Sequence, residues 1–322
     1  MPVISDSREN FTDQLITAIR KKNSCVAVGL DPYLTLIPDT IKQKFSPLSK
    51  ESLEYTSRVI LEFNIQVIDL IAPFVNIIKP QIAFYELYGW RGIRTYTETI
   101  RYAKQKGLIV IGDVKRSDVP STAEAYANAH IGDVRIDHVT EIPFGADAIT
   151  VNPYLGTDSL LPFIQTAQKH KKGIFVLVKT SNPDSGEFQD LLCGEKKLHE
   201  IVAEKTHAWG NDSIGKQGYS AVGAVVGATY PHELSILRRI MPAAYFLVPG
   251  YGTQGATAKD IGYCFNRDGL GAIINASRSI LYAYAVSPWK EKYGMQSWKD
   301  ATQAALIKMN EDIRNMLKVT YG

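Results

Sequence analysis

The 322-residue chain has few of the features that define several common classes of protein. Its three cysteines, Cys25, Cys193 and Cys264, form no CxxC pair, which argues against a disulfide framework or a zinc site. Such sparse cysteine use favours a reducing compartment, the cytoplasm. No apolar run approaches the roughly 18 residues of a membrane helix, and the first residues do not resemble a signal peptide. A formal net charge of +3 is too small to indicate nucleic-acid or membrane binding.

Several familiar catalytic and cofactor motifs are also missing from the sequence. No GxGxxG follows the first predicted strand, and there is no GxSxG elbow, HExxH pair or Walker loop. The six histidines fall in predicted loops, at helix ends or on helices, as surface histidines commonly do. They therefore offer no site that competes with the charged residues described next.

The most informative stretch is residues 109–120, Ile-Val-Ile-Gly-Asp-Val-Lys-Arg-Ser-Asp-Val-Pro. Its apolar, β-branched start predicts a buried strand. Asp113 and Lys115 are two residues apart on that strand, so their side chains point the same way. Asp118 lies just beyond them, and Pro120 is placed to open a helix. Because buried opposite charges are costly unless paired, this is either a structural ion pair at a strand end or part of a catalytic cluster.

Eight short apolar segments alternate with helical ones along the chain. The predicted strands are Cys25–Leu30, Phe74–Ile78, the strand that starts at Ile109, Ala146–Val151, Gly173–Val178, Ala221–Val226, Tyr245–Val248 and Ala272–Ile274. Repeated βα units predict an α/β fold with a parallel sheet covered on both faces. Eight of them favour a closed (β/α)8 TIM barrel over the alternative, a doubly wound sheet.

The barrel core is expected at about residues 24–282, within a single domain of residues 1–322. Extra helices are predicted at Phe11–Lys22 and Ser297–Lys318, and the second either packs on the barrel or joins a subunit interface. Residues 33–50 and the polar segment Asn182–Gln189 are predicted as loops, the latter a candidate lid. A helix is predicted at Gly255–Phe265.

Charged and polar residues recur where the predicted strands end, which is where such barrels hold their active sites. They are Asp31, Lys79, Asp113, Lys115, Asn152, Lys179 and Arg278. Each alone could be a solvated strand-end residue, but their joint placement predicts one site. Lys79 should neighbour Asp113 and Lys115, because these residues lie on successive strands. Alternating lysines and aspartates favour the charged form of each group.

The last two strand-to-helix loops have the composition of an anion site. The first carries Gly250, Gly252, Gln254 and Gly255, and the second carries Ser277 and Arg278. Phosphate often binds between these two loops in this fold. Glycines alone would be weak evidence, since turns use them anyway, but Arg278 could bind an anion through two parallel hydrogen bonds. Together they predict a phosphorylated ligand.

These motifs, in this order, resemble those of the orotidine 5′-phosphate decarboxylase family. Asp113-x-Lys115-x-x-Asp118 is similar to the DxKxxD signature of that family. Matching segments are found at residues 29–32, 78–85, 178–183, 225–228, 249–255 and 275–278, so the resemblance covers most of the chain. The segment Lys-Thr-Ser-Asn-Pro-Asp, which starts at Lys179, is most like the longer-chain branch that includes mycobacterial and malarial enzymes.

The resemblance implies conversion of orotidine 5′-monophosphate to uridine 5′-monophosphate, the last step of UMP synthesis, by a homodimer of (β/α)8 barrels. It also implies that no metal or organic cofactor is used, and that nucleic acid and membranes are not partners. A Lys-Asp-Lys-Asp array would carry the reaction, with Lys79, Asp113 and Lys115 from one subunit. Lys115 would donate the proton to C6. Asp118, with Val119 and Thr122, would reach the partner's site.

The resemblance further implies how substrate is held. Asp31 would hold the ribose, Ser181 or its neighbour Thr180 would contact the pyrimidine, and Gln254, Gly255 and Arg278 would hold phosphate. Gln81 falls where some relatives have Asn, and Val119 where many have Ile.

Two other functions are compatible with the sequence. Mg²⁺-dependent decarboxylases and aldolases of sugar phosphates share a DxKxxD-like motif and the same barrel. A catalytically silent barrel that binds nucleotides or proteins is the second alternative, although a buried charge cluster without a use reduces stability.

Overall fold

The computed structural model describes residues 9–228, 231–252 and 257–321. Its strands are β1 Val26–Leu30, β2 Ile77–Pro80, β3 Ile109–Arg116, β4 Val134–Ile136, β5 Val139–Glu141, β6 Ala148–Val151, β7 Gly173–Lys179, β8 Leu192–Cys193, β9 Lys196–Lys197, β10 Ser220–Val226, β11 Ala244–Val248 and β12 Ala272–Ala276. Eight of these strands form a closed parallel barrel in the order β1-β2-β3-β6-β7-β10-β11-β12. Strand β1 pairs with both β2 and β12, which closes the barrel. The predicted (β/α)8 barrel is confirmed.

Helices cover the outside of the barrel between the strands. They are α1 Phe11–Lys22, α2 Asp39–Lys42, α3 Leu53–Ile71, α4 Ala83–Glu86, α5 Gly89–Gln105, α6 Pro120–Ile131, α7 Thr157–His170, α8 Gly186–Gln189, α9 Leu198–Gly210, α10 Pro231–Ile240, α11 Ala258–Ile261, α12 Arg278–Leu281, α13 Trp289–Tyr293 and α14 Trp298–Tyr321. Among the described helices, none is both long enough and apolar enough to cross a bilayer.

The barrel strands are buried on both faces, which explains why they are continuous apolar runs in the sequence. Every residue of β1, β6, β11 and β12 is buried. Helix α3 begins at an N-cap, where the Ser52 hydroxyl accepts a hydrogen bond from the N–H of Tyr55, and it buries the apolar stripe that includes Val59, Phe63 and Val67. The core therefore lies both inside the barrel and between the barrel and its helices.

The two terminal helices pack on the barrel. Helix α1 begins with a capping box between Asn10 and Asp13, and Phe11 packs edge-on against Phe175 of β7 with ring centroids 6.1 Å apart. Helix α14 buries Trp298, whose ring centroid lies 5.7 Å from that of Phe63. Of the two roles considered for the C-terminal helix, packing on the barrel is present.

The predictions were wrong for several short elements. Residues 33–50 contain 3-10 turns at Leu34–Leu36 and Gln43–Phe45 as well as α2, and Asn182–Gln189 contains a 3-10 turn, Pro183–Ser185, followed by α8. In the segment predicted as the helix Gly255–Phe265, the described residues form only α11 and a 3-10 turn at Gly262–Cys264, while residues 255–256 lie outside the description. The hairpins β4–β5 and β8–β9 were not predicted. One helical turn, or a strand of two or three residues, is too short to produce a periodic pattern.

Candidate active site

Three charged side chains meet at the carboxyl ends of β2 and β3. Lys79 Nζ lies 2.7 Å from Asp113 Oδ2, and Lys115 Nζ lies 2.5 Å from Asp113 Oδ1. Lys79 and Asp113 are buried, whereas the Lys115 side chain is 46% exposed. We call these three residues the mouth cluster. The expected proximity of Lys79 to Asp113 and Lys115 is therefore present.

The charges of the mouth cluster stabilise one another. Burial by itself would raise the pKa of Asp113, but the ammonium groups of Lys79 and Lys115 outweigh it and hold that pKa well below its usual range. Burial acts to lower the pKa of Lys79, but the carboxylates of Asp113 and Asp31 raise it above its ordinary value. Asp113 is therefore a carboxylate and Lys79 an ammonium at neutral pH.

A buried threonine completes the surroundings of Asp113, and sequence reasoning missed it. Thr150 of β6 donates a hydrogen bond from its hydroxyl to Asp113 Oδ1 over 2.9 Å. The Thr150 hydroxyl oxygen in turn accepts hydrogen bonds from the N–H groups of Val114 and Lys115, at 3.0 and 2.9 Å. The sequence did contain a signal for this residue: Thr150 is the one hydroxyl side chain in the otherwise apolar strand β6, which pairs with β3.

The mouth cluster opens onto a cavity of about 360 Å³. Its lining comprises the mouth cluster together with Thr150, Leu177, Thr180, Ser181, Asn182, Val225, Leu247 and Pro249. This volume lies within the range of small-ligand sites. The structure therefore brings Thr180 and Ser181, expected to contact a pyrimidine, to the same cavity as the charged residues. A larger cleft of about 1150 Å³ lies between Tyr251 and α14, away from the mouth cluster.

Asp31 follows β1 and faces the same region. Its Oδ1 atom is buried and has no hydrogen-bond partner among the described residues, while its backbone carbonyl accepts a hydrogen bond from Tyr282 Oη over 3.1 Å. Buried carboxylate oxygens are normally paired, so this atom is available to a ligand hydroxyl. Gln81 lies next to it at the end of β2, where its N–H donates to the carbonyl of Leu30 over 3.3 Å.

Asp118, Val119 and Thr122 do not line the cavity of their own chain. Asp118 Oδ1 accepts a hydrogen bond from the N–H of Val119 over 2.8 Å, at the start of α6. Val119 is 53% exposed, and Thr122 is also exposed. One chain alone therefore does not bring the second aspartate of the expected array to the mouth cluster.

Two strand-end residues proved to have structural contacts instead of lining the cavity. Lys179 is buried, and its Nζ lies 2.8 Å from Asp190 Oδ2. The Asn152 side-chain oxygen accepts a hydrogen bond from the N–H of Tyr154 over 3.0 Å, which caps the loop after β6. The prediction that both belong to one charged site was wrong, because the end of a strand fixes a residue's height in the barrel but not the direction of its side chain.

The segment after β7 is fastened at both ends. Gln189 accepts a hydrogen bond from the N–H of Thr180 over 2.9 Å and donates one to the Thr180 hydroxyl over 2.8 Å. The carbonyl of Gln189 lies 2.8 Å from Nδ1 of the buried His199. These contacts hold Thr180 and Ser181 at the cavity, so the candidate lid Asn182–Gln189 is joined to the barrel in this structure.

The candidate phosphate residues are only partly described. Gln254 and Gly255 lie outside the described residues. Arg278 is exposed at the first position of α12 and does not line the cavity. The ends of β1 and β12 nevertheless approach closely, because a Cβ on Gly29 would collide with the Ser277 side chain. Within the described ranges, no group of three or more His, Cys, Asp or Glu residues is arranged to hold a metal ion.

The fold and the site together define a class of protein, a (β/α)8-barrel enzyme with a buried lysine–aspartate centre at the carboxyl ends of its strands. Residues 26–289 match the family described as orotidine 5′-phosphate decarboxylase / HUMPS. The chain belongs to this family.

Similar proteins agree with that assignment. An orotidine 5′-phosphate decarboxylase of Caldicellulosiruptor bescii is 44% identical over 85% of this chain and 90% of its own length. Another, of Rhodopirellula baltica, is 42% identical over 94% of this chain and 99% of its own. The solved structure of Leishmania donovani OMP decarboxylase has a TM-score of 0.72 and 29% identity, and it covers 96% of this chain and 99% of that one.

Proposed function

We propose that the chain is an orotidine 5′-monophosphate decarboxylase that forms uridine 5′-monophosphate in the last step of UMP synthesis. The observation that carries the proposal is the mouth cluster, in which Asp113 lies between the Lys79 and Lys115 ammonium groups on a cavity of about 360 Å³. The relatives at 42–44% identity carry the name of this activity. We further propose a cytoplasmic enzyme, built as a single barrel domain, that needs neither metal nor organic cofactor.

The reaction breaks the bond between C6 and the carboxyl carbon, and the electron pair remains on C6. The Lys115 ammonium stabilises that developing charge and then delivers its proton to C6, after which the neutral amine takes a proton from water. Asp113 lies against the departing carboxylate. Two unit charges 4 Å apart interact by about 4 kcal/mol at an effective dielectric constant near 20. Repulsion of that size is too small to account for the catalysis, so preorganised stabilisation of the carbanion-like transition state contributes more.

The remaining predicted contacts orient the nucleotide. Asp31 binds a ribose hydroxyl through its buried Oδ1 atom, and Ser181, or its neighbour Thr180, contacts the pyrimidine. Gln254, Gly255 and Arg278 hold the phosphate. Gln81, at the end of β2, is a further substrate contact. Binding energy from the phosphate, far from C6, can then contribute to turnover as well as to affinity.

We also propose a homodimer in which Asp118, Val119 and Thr122 of each copy complete the partner's site. Exposed apolar side chains beside Asp118 support an interface there. The Ser159 hydroxyl donates to the Asp118 carbonyl over 2.5 Å, and the neighbouring Tyr154 is 83% exposed. Other exposed apolar residues in this region are Leu155 and Leu161.

The test is to mix the purified chain with orotidine 5′-monophosphate in EDTA and follow formation of uridine 5′-monophosphate. We expect rapid turnover that EDTA does not reduce. Turnover of sugar phosphates only, and only with Mg²⁺, would replace the proposal with the sugar-phosphate alternative. Tight binding of uridine nucleotides without turnover would support a silent barrel.

The shared site has its own test, which mixes two inactive variants. Lys115→Ala and Asp118→Ala are each expected to be inactive alone. After subunit exchange, about a quarter of wild-type activity should return, because half of the dimers are hybrids and one of their two sites is intact. No recovery in a sample shown by native mass spectrometry to contain hybrids would rule out the shared site.

A further inference from the structure

The Thr150 hydroxyl makes hydrogen bonds with three groups in and beside the mouth cluster. The Thr150 side chain belongs to β6 and is buried, with the residue 1% exposed. A hydroxyl has one donor and two acceptor positions, and all three are used here. The donor goes to Asp113 Oδ1, and the acceptors take the N–H groups of Val114 and Lys115.

The backbone that Thr150 holds has an unusual conformation. Lys115 has a φ of 47°, in the left-handed region that side chains other than glycine and asparagine rarely adopt. The pairing of β3 with β6 also shifts register between Gly112 and Arg116, so the regular ladder is interrupted in the stretch that contains Lys115. The Thr150 hydroxyl takes the place of a ladder acceptor for two consecutive N–H groups. Such local strain persists only where the surrounding structure fixes it.

The hydrogen bonds of Thr150 determine the directions in which the Asp113 and Lys115 side chains point. With its backbone turned in this way, Lys115 Nζ lies 2.5 Å from Asp113 Oδ1, the same oxygen that receives the Thr150 hydrogen bond. One hydroxyl thus fixes the orientation of the Asp113 carboxylate and the backbone from which Lys115 projects. Lys79 holds the other carboxylate oxygen, at 2.7 Å.

We propose that Thr150 is a positioning residue of the active site, whose hydroxyl locks the Asp113 carboxylate and the turned backbone of Lys115 into one unit. The inference rests on the proposed decarboxylation for its kinetic consequence, but the lock itself is independent of the substrate. Thr150 does not exchange a proton with substrate. Its loss lets Lys115 and Asp113 move separately, which reduces turnover more than binding.

The experiment compares Thr150→Val, which keeps the shape of the side chain and removes the hydroxyl, with Thr150→Ser, which keeps the hydroxyl. We expect kcat for orotidine 5′-monophosphate to fall about 10²-fold in Thr150→Val, with KM nearly unchanged. Thr150→Ser should stay within a few-fold of wild type. Equal losses in the two variants would show that Thr150 only packs, and unchanged kcat in Thr150→Val would overturn the proposal.

A second measurement does not depend on activity. The chain is labelled with ¹³C in its aspartate carboxyl groups, and the signal of Asp113 is followed by NMR during an acid titration. The signal that is missing from the spectrum of Asp113→Asn is the one that belongs to Asp113, which separates it from the signal of nearby Asp31. In Thr150→Val the Asp113 titration should move to higher pH, because the carboxylate has lost a donor while Lys79 and Lys115 remain. An unchanged titration would contradict the lock. This result stands even if the wild-type chain does not decarboxylate orotidine 5′-monophosphate. If Thr150→Val does not fold, Thr150→Ala serves as the hydroxyl-free variant.

Discussion

Asp113 and Asp147 each lie between two lysines, at opposite ends of the barrel strands. Asp113 contacts Lys79 and Lys115 at the carboxyl ends, whereas Asp147 comes just before β6 at the amino ends. The two aspartate side chains are equally exposed, at 10%. Neither the burial of the aspartate nor the pattern of charge distinguishes the two clusters, so the difference must come from the lysines and from what surrounds them.

The second cluster, which we call the base cluster, consists of Lys104, Asp147 and Lys172. Asp147 Oδ1 lies 2.6 Å from Lys104 Nζ and 2.9 Å from Lys172 Nζ, and Asp147 Oδ2 accepts the N–H of Val110 over 2.9 Å. These contacts join α5, β3 and the turn before β7. The lysine side chains are 41% and 23% exposed, so the charges remain partly in water. The base cluster therefore joins neighbouring elements at the amino-terminal end of the barrel, the end associated with stability rather than catalysis.

The mouth cluster differs in two respects. The Lys79 side chain is only 5% exposed, so its charge depends on Asp113, and the cluster borders a cavity. The same arrangement of charges therefore stabilises one end of the barrel and is available to a ligand at the other. Position in the barrel and an adjoining cavity, rather than the charge pattern, identify the candidate site.

The largest expected effect is a loss of kcat when a lysine of the mouth cluster is replaced, with no such loss for a lysine of the base cluster. Lys115→Ala is expected to reduce kcat by about 10³-fold or more, because it removes both the charge that stabilises C6 and the proton that C6 receives. Binding of uridine 5′-monophosphate, measured by calorimetry, should survive. Lys104→Ala, the matched change in the base cluster, should leave kcat within twofold. Retention of most activity in Lys115→Ala would refute its assigned role.

Replacing each aspartate with asparagine should mainly reduce activity in the mouth cluster and mainly reduce stability in the base cluster. Asp113→Asn is expected to lower kcat by about 10²-fold or more, since the preorganised charge beside the substrate is lost. Asp147→Asn should leave kcat of the folded enzyme unchanged while Tm falls by a few degrees, corresponding to about 1–2 kcal/mol. Thermal unfolding and steady-state kinetics on the same preparations provide the comparison. A large loss of kcat in folded Asp147→Asn would show that the base cluster is not purely structural.

Acid should weaken the mouth cluster at a definite pH. The pKa of Asp113 is held well below its usual range, so its stabilising contribution is present above the unfolded-state pKa of about 3.9 and declines below it. Near neutral pH, Asp113→Asn should lower the free energy of unfolding by about 3 kcal/mol, because it leaves Lys79 buried without its carboxylate. Urea denaturation should show this difference shrinking below about pH 4. A difference that is constant down to pH 3 would contradict the charged pairing.

The smallest effect belongs to a single lysine of the base cluster. Lys104→Ala should lower the free energy of unfolding by less than about 1 kcal/mol, because an ion pair with a 41% exposed lysine gains little over water. The difference should become smaller in 0.5 M salt. A loss comparable to that of Asp147→Asn would indicate that Lys104, rather than the carboxylate, holds the base cluster together.

The sequence was sufficient for the barrel and for the centre of the site. Buried parallel strands are continuous apolar runs, and lysine or aspartate at their ends marks the mouth, which is why Lys79, Asp113 and Lys115 could be predicted together. Thr150 could not, because its role depends on the register between β3 and β6. Lys179 was misplaced because pairing with Asp190 is set by a later segment of chain.

Other parts of the site and fold depend on contacts between distant segments or between copies of the chain, which the pattern of residues along one strand does not reveal. Asp118 does not line the cavity of its own chain, and its predicted role depends on a second copy, so that role stays a prediction. The base cluster was not predicted, since Asp147 pairs with lysines from two different helix ends. The expected phosphate contacts at Gln254 and Gly255 lie outside the described residues.

Closure of the barrel by β1 and β12 has a consequence for the way the protein is made. Val26 pairs with Ile274, so one edge of the first strand has no partner until residue 274 has left the ribosome. At about 5–20 residues per second, the roughly 250 intervening residues take some 12 to 50 seconds to synthesise. During that time an apolar strand edge remains open to other nascent chains, and we expect a chaperone that shields such edges to increase the yield of active protein.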